Sequence, residues 1–598
     1  MHNVEFEPVG RRGLCPEGNS LLECARLLNV DLVSICGGVG ACLRCKVQVI
    51  SGTVSPPTDV DRETFTDAEL QQGFRLACMA FPQSEIRVLV PPESLSTPQR
   101  MQVEGLDLRV EPDPLARGFD VQLTPPSLEN PEPDDRNLWG ALDRAHGIAP
   151  GTIDLAVQQV FSSRLRTLNW KASIVLRESE IIALDAPSTR WIGLAVDIGT
   201  TKIAVYLVDM KSGDIVASSG LMNPQISYGE DVVSRIYIAG ESAENAEKLQ
   251  ALLVDALNSS VAALCAEIGS DPSHIADAVM VGNTAIHHLF LRLPVQQLGL
   301  VPYVPAVRSA VDIKARDIGL KTAPGGYVHM LPNVAGYVGA DHVAMLLATE
   351  MDEREGITLA LDIGTNTEIC LNCHGKMKSV SCASGPAFEG AHIQFGMRAA
   401  KGAIEHVRLS GERLEIQTIG GAAPVGICGS GLLDGIAQML QNGVIDATGR
   451  MQDHPLVRKR NDRREFVLAE HPGKDDITIS QKDVRELQAA KTAIRLGIQA
   501  LLEDAGIVEA DIDRVIIAGA FGTFIDVQSA VAIGMLPPLP PERFQQVGNA
   551  AGTGARLALI SQDKRRTALA IAARDGYIEL ACIPDFNSKF AAASSMTW

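Results

Sequence analysis

Two stretches of this chain repeat one pattern. WIGLAVDIGTTKIAVYLVDMKSGDIVASS (191–219) reads as an apolar strand ending in Asp197, a Gly-Thr-Thr turn, a second strand, a turn at Lys211-Ser212-Gly213, and a third strand. From residue 358, TLALDIGTNTEICLNCHGKMKSV repeats it, with Asp362, Gly364, Thr365 and Asn366 standing where Asp197, Gly199, Thr200 and Thr201 stood. Each copy is followed by a long amphipathic helix (248–269 and 491–506) and an apolar strand that stops at a glycine turn, AVMVGN (278–283) and RVIIAGAFG (514–522). A repeated hairpin, helix and strand predicts two similar lobes, about 191–350 and 356–560, with a cleft between them.

The chemistry of that cleft follows from its residue types. A Gly-Thr-Thr or Gly-Thr-Asn-Thr turn offers amide N–H groups and hydroxyls to phosphate oxygens, here from Gly199, Thr200, Thr201 and Lys202 and from Gly364, Thr365, Asn366 and Thr367. An aspartate at each strand end, Asp197 and Asp362, can hold Mg²⁺ or position an attacking water. Gly519, Ala520, Phe521 and Gly522 supply a small flat surface for a base and ribose. Gly429, Ser430 and Gly431 precede a predicted helix whose N-terminus suits an anion.

At the other end of the chain, CGGVGACLRC (36–45) crowds three thiols into a loop of small residues, and FRLACMA adds Cys78. The spacing C-x5-C-x2-C-x32-C over Cys36, Cys42, Cys45 and Cys78 fits four thiolates around a [2Fe–2S] cluster. Small residues let backbone N–H groups approach the sulfurs. A zinc site is the competing reading, and it would want two close cysteine pairs where this loop has one. Around the loop, strands near 4–9, 45–52 and 84–92 and a helix at 19–30 give a ferredoxin-like β-grasp order. Cys15 and Cys24 fall outside the pattern as core thiols, and Cys370 and Cys373 should face opposite sides of a strand.

Residues 1–93 are thus expected to be an iron–sulfur domain, 94–115 a linker rich in Pro and acidic residues, 116–188 a small middle domain with a strand pair at 172–185, and 189–598 the two-lobed unit. The fold class is multidomain α+β and α/β. With 598 residues and a net charge of −19, the chain has no basic footprint for nucleic acid. The run RKRNDRRE (458–465) reads as a solvated loop. No apolar stretch reaches the ~18 residues of a membrane helix, and a cytoplasmic protein without membrane or nucleic-acid partners is expected.

The cysteine loop resembles the adrenodoxin-like branch of the plant-type ferredoxin fold. The duplicated turns resemble the sugar kinase, Hsp70 and actin superfamily of ATPases. That resemblance implies ATP and Mg²⁺, with Asp197–Lys202 and Asp362–Glu368 as phosphate turns and Gly519–Gly522 as the adenosine motif. The two together, with SGPAFEGAHIQFGMRA (384–399) and ITISQKDVRELQAAKTAI (477–494), resemble the reductive activators of corrinoid-dependent enzymes. This implies one-electron reduction of Co(II) to Co(I) in the corrinoid protein of a methyltransferase system, an electron donor to the cluster, and Ser384 as a candidate corrinoid contact. A homodimer is compatible with it, although no interface is legible. Lys482 or Arg485 could touch the nucleotide. A redox-sensing ATPase regulator and a small-molecule kinase with an appended ferredoxin domain are the alternatives.

Overall fold

Alternating apolar residues pair β1 (His2–Glu7) with β2 (Arg11–Cys15) as an antiparallel hairpin. Strands β3 (Lys46–Ser51), β4 (Phe74–Leu76) and β5 (Ile86–Leu89) complete a mixed sheet in the order β2-β1-β5-β3-β4, with β5 parallel to β1. The helix Leu21–Leu27 starts at a Ser20/Glu23 capping box and buries Leu21, Leu22, Cys24 and Ala25. They pack with Val4, Phe6, Val47, Leu76 and Val88 in one core, each large side chain contributing about 1.5–3 kcal/mol. Two further helices, Asp59–Thr64 and Asp67–Gln71, were not expected from apolar periodicity; Thr58/Asp61 and Thr66/Glu69 capping boxes start them instead. This computed structural model describes the chain except residues 8–9, 29, 31, 33–39, 41–42, 44, 92–93, 95–104, 107, 230, 391–392, 461–462, 471–475 and 520.

The next unit is a sheet of β6 (Ala116–Gln122), β7 (Thr152–Ile153), β8 (Lys171–Arg177) and β9 (Glu180–Asp185), ordered β6-β8-β9-β7. The expected strand pair at 172–185 is β8 with β9. Helices Asp134–His146 and Leu155–Thr167 bring Leu138, Leu142, Val157 and Leu165 against Ile174. Polar contacts dock this unit on the first lobe: Arg316 forks onto both Asp154 oxygens at 2.9 and 3.0 Å, and Lys314 reaches Glu180 at 2.8 Å.

Each lobe is a six-stranded sheet. The first holds β10 (Ile192–Ile198), β11 (Lys202–Asp209), β12 (Ile215–Met222), β13 (Ile275–Gly282), β14 (Val311–Lys314) and β15 (Tyr327–Met330), ordered β12-β11-β10-β13-β15-β14. The second begins with β16 (Ile357–Ile363), β17 (Thr367–Cys373) and β18 (Lys376–Cys382). Two small sheets follow, β19 (Ala403–Ser410), β20 (Arg413–Thr418) and β21 (Gly426–Ile427), then β22 (Val457–Arg460), β23 (Arg463–Ala469) and β24 (Ile477–Ser480). Strands β25 (Arg514–Ala518), β26 (Phe544–Gly548) and β27 (Gly576–Tyr577) complete the second large sheet, ordered β26-β25-β16-β17-β18-β27. Strand for strand, β12-β11-β10-β13-β15 matches β18-β17-β16-β25-β26. In each lobe the first strand pairs antiparallel with the second and parallel with the fourth.

Helices Ala340–Ala348 and Ala550–Ile560 pack on each other between the lobes, within a core that draws on both sheets, from Ala195 and Val208 to Ala360 and Ile516. Two sequence expectations need correction here. The basic run is a hairpin, β22 with β23, because Phe466 and Leu468 bury one side and β24 pairs with β23. A helix of membrane-spanning length also exists: Ala243–Glu267 has a mean hydropathy of 1.5 over its most apolar window. Its Leu249, Leu253, Leu257, Val261 and Leu264 pack in the core of the first lobe.

The N-terminal unit sits against both lobes. From β2, the Arg11 guanidinium donates to the Val425 carbonyl beside β21. From β5, Arg87 donates to the Ile226 carbonyl, in the turn after β12, at 3.2 Å.

Candidate functional site

The register of β3 and β4 pairs Lys46 with Leu76 and carries Cys45 and Cys78 just past the paired ends. The Ala77 amide donates to the Cys45 carbonyl at 2.8 Å, tying the two segments together. Both thiols are buried. Gly40, inside the loop, has φ +77°, and a Cβ there would meet the Met79 methyl at 2.2 Å. Cys36 and Cys42 lie outside the described residues, as do Gly37, Gly38 and Ala41. Two buried thiols on one tied edge beside a loop without bulk fit a four-thiolate cluster. Cys15 and Cys24 are core thiols in mutual hydrogen-bond contact.

Between the lobes, Asp197 and Asp362 are the penultimate residues of β10 and β16. Around them a cavity of about 170 Å³ is lined by Gly199, Thr200, Thr201, Lys202, Gly364, Thr365, Asn366, Gly519 and Phe521, among others. The first turn is held from beneath. Asn223 donates to the Gly199 carbonyl at 2.9 Å through its side chain and to the Thr201 carbonyl at 2.9 Å through its amide. The fully buried Arg235 donates to the Thr200 carbonyl at 2.6 Å. Ser384 supports the second turn in the same way: its buried hydroxyl lies 3.3 Å from the Gly364 carbonyl, 3.2 Å from that of Thr365 and 2.9 Å from the Thr367 hydroxyl. Ser384 is therefore buried against the second turn.

Five carboxylates line the cavity, Glu389 and four whose protons are held tightly. Burial, then the charge of Asp362, pushes Asp197 up to about 7. Burial alone raises Asp362 to about 6. Asp341, in the first turn of Ala340–Ala348, is raised to about 8 by burial and then by Asp197 and Asp362. Glu368 is raised too, again chiefly by burial. Asn549 donates to Asp197 at 3.0 Å and Asn283 to the Thr200 hydroxyl at 2.9 Å. Gly519 adopts φ +91°, with the Asp362 carboxylate 2.6 Å from where a Cβ would stand.

The residue that sequence reasoning most clearly missed is Glu389. It lies inside SGPAFEG, yet only the folded chain shows its role. One carboxylate oxygen accepts from both the Thr201 hydroxyl, at 3.1 Å, and the Thr365 hydroxyl. The other lies 3.8 Å from Arg398. Asp341, Asn283, Asn549 and Arg235 were missed as well.

A small side pocket behind Glu389 holds Lys202, Cys428, Gly429, Ser430 and Phe521, and Phe521 stacks on Phe388 with centroids 4.5 Å apart. Gly429, Ser430 and Gly431 form the first turn of the helix Gly429–Gln441 and do not precede it. Ala520 lies outside the described residues. Lys482 and Arg485 line a different cleft, away from the turns. Among the other candidates, His287 and His288 are buried in Thr284–Phe290. The His288 ring bonds the Thr284 carbonyl at 2.7 Å and the Ala306 amide at 3.0 Å, which is a structural use. Cys370 and Cys373 pack into different cores on opposite faces of β17, as alternation requires.

The class is therefore an iron–sulfur domain joined to a duplicated, two-lobed ATPase. Family profiles match in tandem: "2Fe-2S iron-sulfur cluster binding domain" over 4–83, "RACo linker region" over 105–190, "RACo middle region" over 192–354, and "C-terminal domain of RACo the ASKHA domain" over 356–597. The corrinoid activation enzyme RamQ of Eubacterium limosum is 33% identical over 587 residues, 95% of this chain and 94% of that one. A solved "Reductive activator for corrinoid,iron-sulfur protein" superposes with a TM-score of 0.73 at 34% identity, covering 100% of this chain and 98% of its own. The methylated amine-specific Co(II) corrinoid protein reductase of Methanosarcina barkeri is 24% identical over 431 residues, 67% of this chain and 76% of its own. The chain belongs to the family of ATP-dependent reductive activators of corrinoid proteins.

Proposed function

We propose that this chain returns a cytoplasmic corrinoid protein from Co(II) to Co(I) by ATP-dependent transfer of one electron. The observation that carries the reading is the seating of the iron–sulfur unit on both lobes, through Arg11 to Val425 and Arg87 to Ile226. Any change in the angle between the lobes must strain one of those contacts, so nucleotide state and placement of the electron-carrying unit are mechanically linked.

When bound through Cys36, Cys42, Cys45 and Cys78, a [2Fe–2S] group supplies a one-electron carrier near about −400 mV, refilled by an external donor. Formation of Co(I) is uphill from there, which is why ATP hydrolysis must enter. Gly199, Thr200, Thr201 and Lys202 from one side, and Gly364, Thr365, Asn366 and Thr367 from the other, would hold the phosphates. Gly519, Ala520, Phe521 and Gly522 would hold the nucleoside. The helix start, through Gly429 and Ser430 with Gly431 next in its first turn, lines the side pocket that shares Lys202, Glu389 and Phe521 with the cavity between the lobes. Asp197 and Asp362, with Asp341 and Glu368, offer the hard oxygen set that suits Mg²⁺ and an oriented water. A ligand shifts a two-state protein only through unequal affinity for the states. Displacing Glu389 by a phosphate provides that inequality. Movement of the 384–399 loop would then free Ser384 toward the corrinoid.

The test is optical. The protein is purified without oxygen, its cluster is reduced, and it is mixed with a Co(II) corrinoid protein with and without Mg-ATP. Co(I) absorbance that requires ATP is expected. ATP hydrolysis with no Co(I) would overturn the reading in favour of a regulator or kinase.

A further inference from the structure

The hairpin β22–β23 that carries RKRNDRRE walls a second, larger cleft of about 1180 Å³, distinct from the nucleotide cavity. Eight cationic side chains and two carboxylates line it. In a chain of net charge −19 this is a local inversion of sign. Neither carboxylate is available to neutralise it. Asp483 is buried as a helix cap, accepting from the Ser480 amide at 2.8 Å and the Gln394 amide at 2.9 Å. Glu465 is buried 3.6 Å from Arg458. By contrast Arg12, Arg450, Lys459, Arg463 and Lys482 are exposed and form no salt bridge among the described residues.

The cleft's walls come from three places. Arg12 belongs to the iron–sulfur unit, next to the anchoring Arg11. Gln394 belongs to the 384–399 stretch whose Glu389 stands between the phosphate turns. The rest come from the second lobe. An anion held here would thus touch the electron-carrying unit and the nucleotide-sensing stretch together.

We propose that this cleft docks an acidic face of the corrinoid protein that the chain reduces; the inference rests on the function proposed above. A small phosphate ligand fits the cleft poorly. The helix N-terminus that would cradle it, at Gln481–Ala505, is already closed by the Ser480/Asp483 capping box, and the free cations are spread along open walls. Spread charge of one sign instead steers a large partner, speeding encounter and fixing orientation. An electron donor would need only the iron–sulfur unit, whereas most of this cleft belongs to the ATPase.

The experiment uses the full, cluster-loaded chain and its Lys459→Glu/Arg463→Glu double variant. Association with the corrinoid protein is followed by stopped flow at low and high salt, and mass by light scattering. The expected result is association at least about tenfold slower in the variant at low salt, with a flattened salt dependence. Cluster absorbance and basal ATP hydrolysis should stay unchanged. Equal association of both proteins overturns the proposal, as does a change of self-association in the variant, which would assign the cleft to a second copy. A wild-type protein that binds through the cleft yet forms no Co(I) defeats the proposed function and leaves the docking surface. If variant and wild type activate equally, the docking surface falls alone. Absence of any wild-type binding defeats both.

Discussion

The hydroxyls of Thr201 and Thr365 stand 3.2 Å apart, although they belong to different lobes, and one oxygen of Glu389 accepts from both. A side-chain carboxylate therefore occupies the point where the two Gly-Thr turns, proposed to hold phosphate, meet. Removing it should remove a like charge from the phosphates' path. Glu389→Ala is expected to tighten nucleotide binding by about 5–30-fold, the equivalent of about 1–2 kcal/mol, measured by titration calorimetry. Weaker binding by a similar factor would instead assign Glu389 to holding the cation.

Asp197→Asn and Asp362→Asn should each lower ATP hydrolysis by about 10²–10⁴-fold, the range for loss of a positioned acid–base group. Nucleotide should still bind, since the turns that would grip phosphate are unchanged. Phosphate release and a fluorescent-nucleotide titration separate the two effects.

Ser384 supports the carbonyls of Gly364 and Thr365, so Ser384→Ala should loosen the second turn. A loss of about 0.5–1.5 kcal/mol in stability is expected from the missing hydrogen bonds. If the loop also moves to the corrinoid, Co(I) formation should slow more than ATP hydrolysis does. Activation at the wild-type rate would remove Ser384 from the corrinoid face.

Arg11 is buried, and burial lowers its pKa to about 10, still charged at neutral pH. Arg11→Ala deletes a charged hydrogen bond to Val425 worth about 1.5–3 kcal/mol. The iron–sulfur unit should then detach more often. We expect faster proteolysis within 94–115 and several-fold slower Co(I) formation at an unchanged rate of ATP hydrolysis.

Asp575 accepts from the Ser379 hydroxyl at 2.7 Å, and that hydroxyl also meets the His342 ring at 2.8 Å. Burial pushes Asp575 up to about 7, against the lowering effects of Ser379 and Arg308, while burial keeps His342 neutral. The folded chain thus holds this proton more tightly than the unfolded one. Its contribution is fully present below about pH 4 and is lost as pH rises to about 7. Asp575→Asn should flatten that slope, so that its thermal midpoint, measured at pH 5.5 and 8 (about the ends of the upper window), changes less than the wild type's.

What could be read from the sequence was whatever is local. Asp197-Ile-Gly-Thr and Asp362-Ile-Gly-Thr are contiguous turns, and their flanking periodicity carries the matching strand orders of the two lobes. The Ser480/Asp483 capping box was legible for the same reason. Residues brought in by the fold were not. Asn549 reaches Asp197 across 352 positions, and no spacing rule links them. Glu389 sat inside a recognised stretch, but its partners come from two other segments. Arg458–Glu465 looked like loop because its outward residues are all polar; the strand Ile477–Ser480 that pairs with its second arm comes from further along the chain. Lys482 and Arg485 were matched to the nucleotide by proximity to a motif, and the direction of their helix sends them elsewhere.

One stretch, 384–399, contributes Glu389 to the nucleotide cavity and Gln394 to the basic cleft. If that stretch shifts when either site is filled, the two sites influence each other mutually. Whatever factor nucleotide exerts on the grip of the cleft, an occupant of the cleft exerts equally on nucleotide affinity. A partner seated in the cleft would then set how tightly the protein holds its nucleotide.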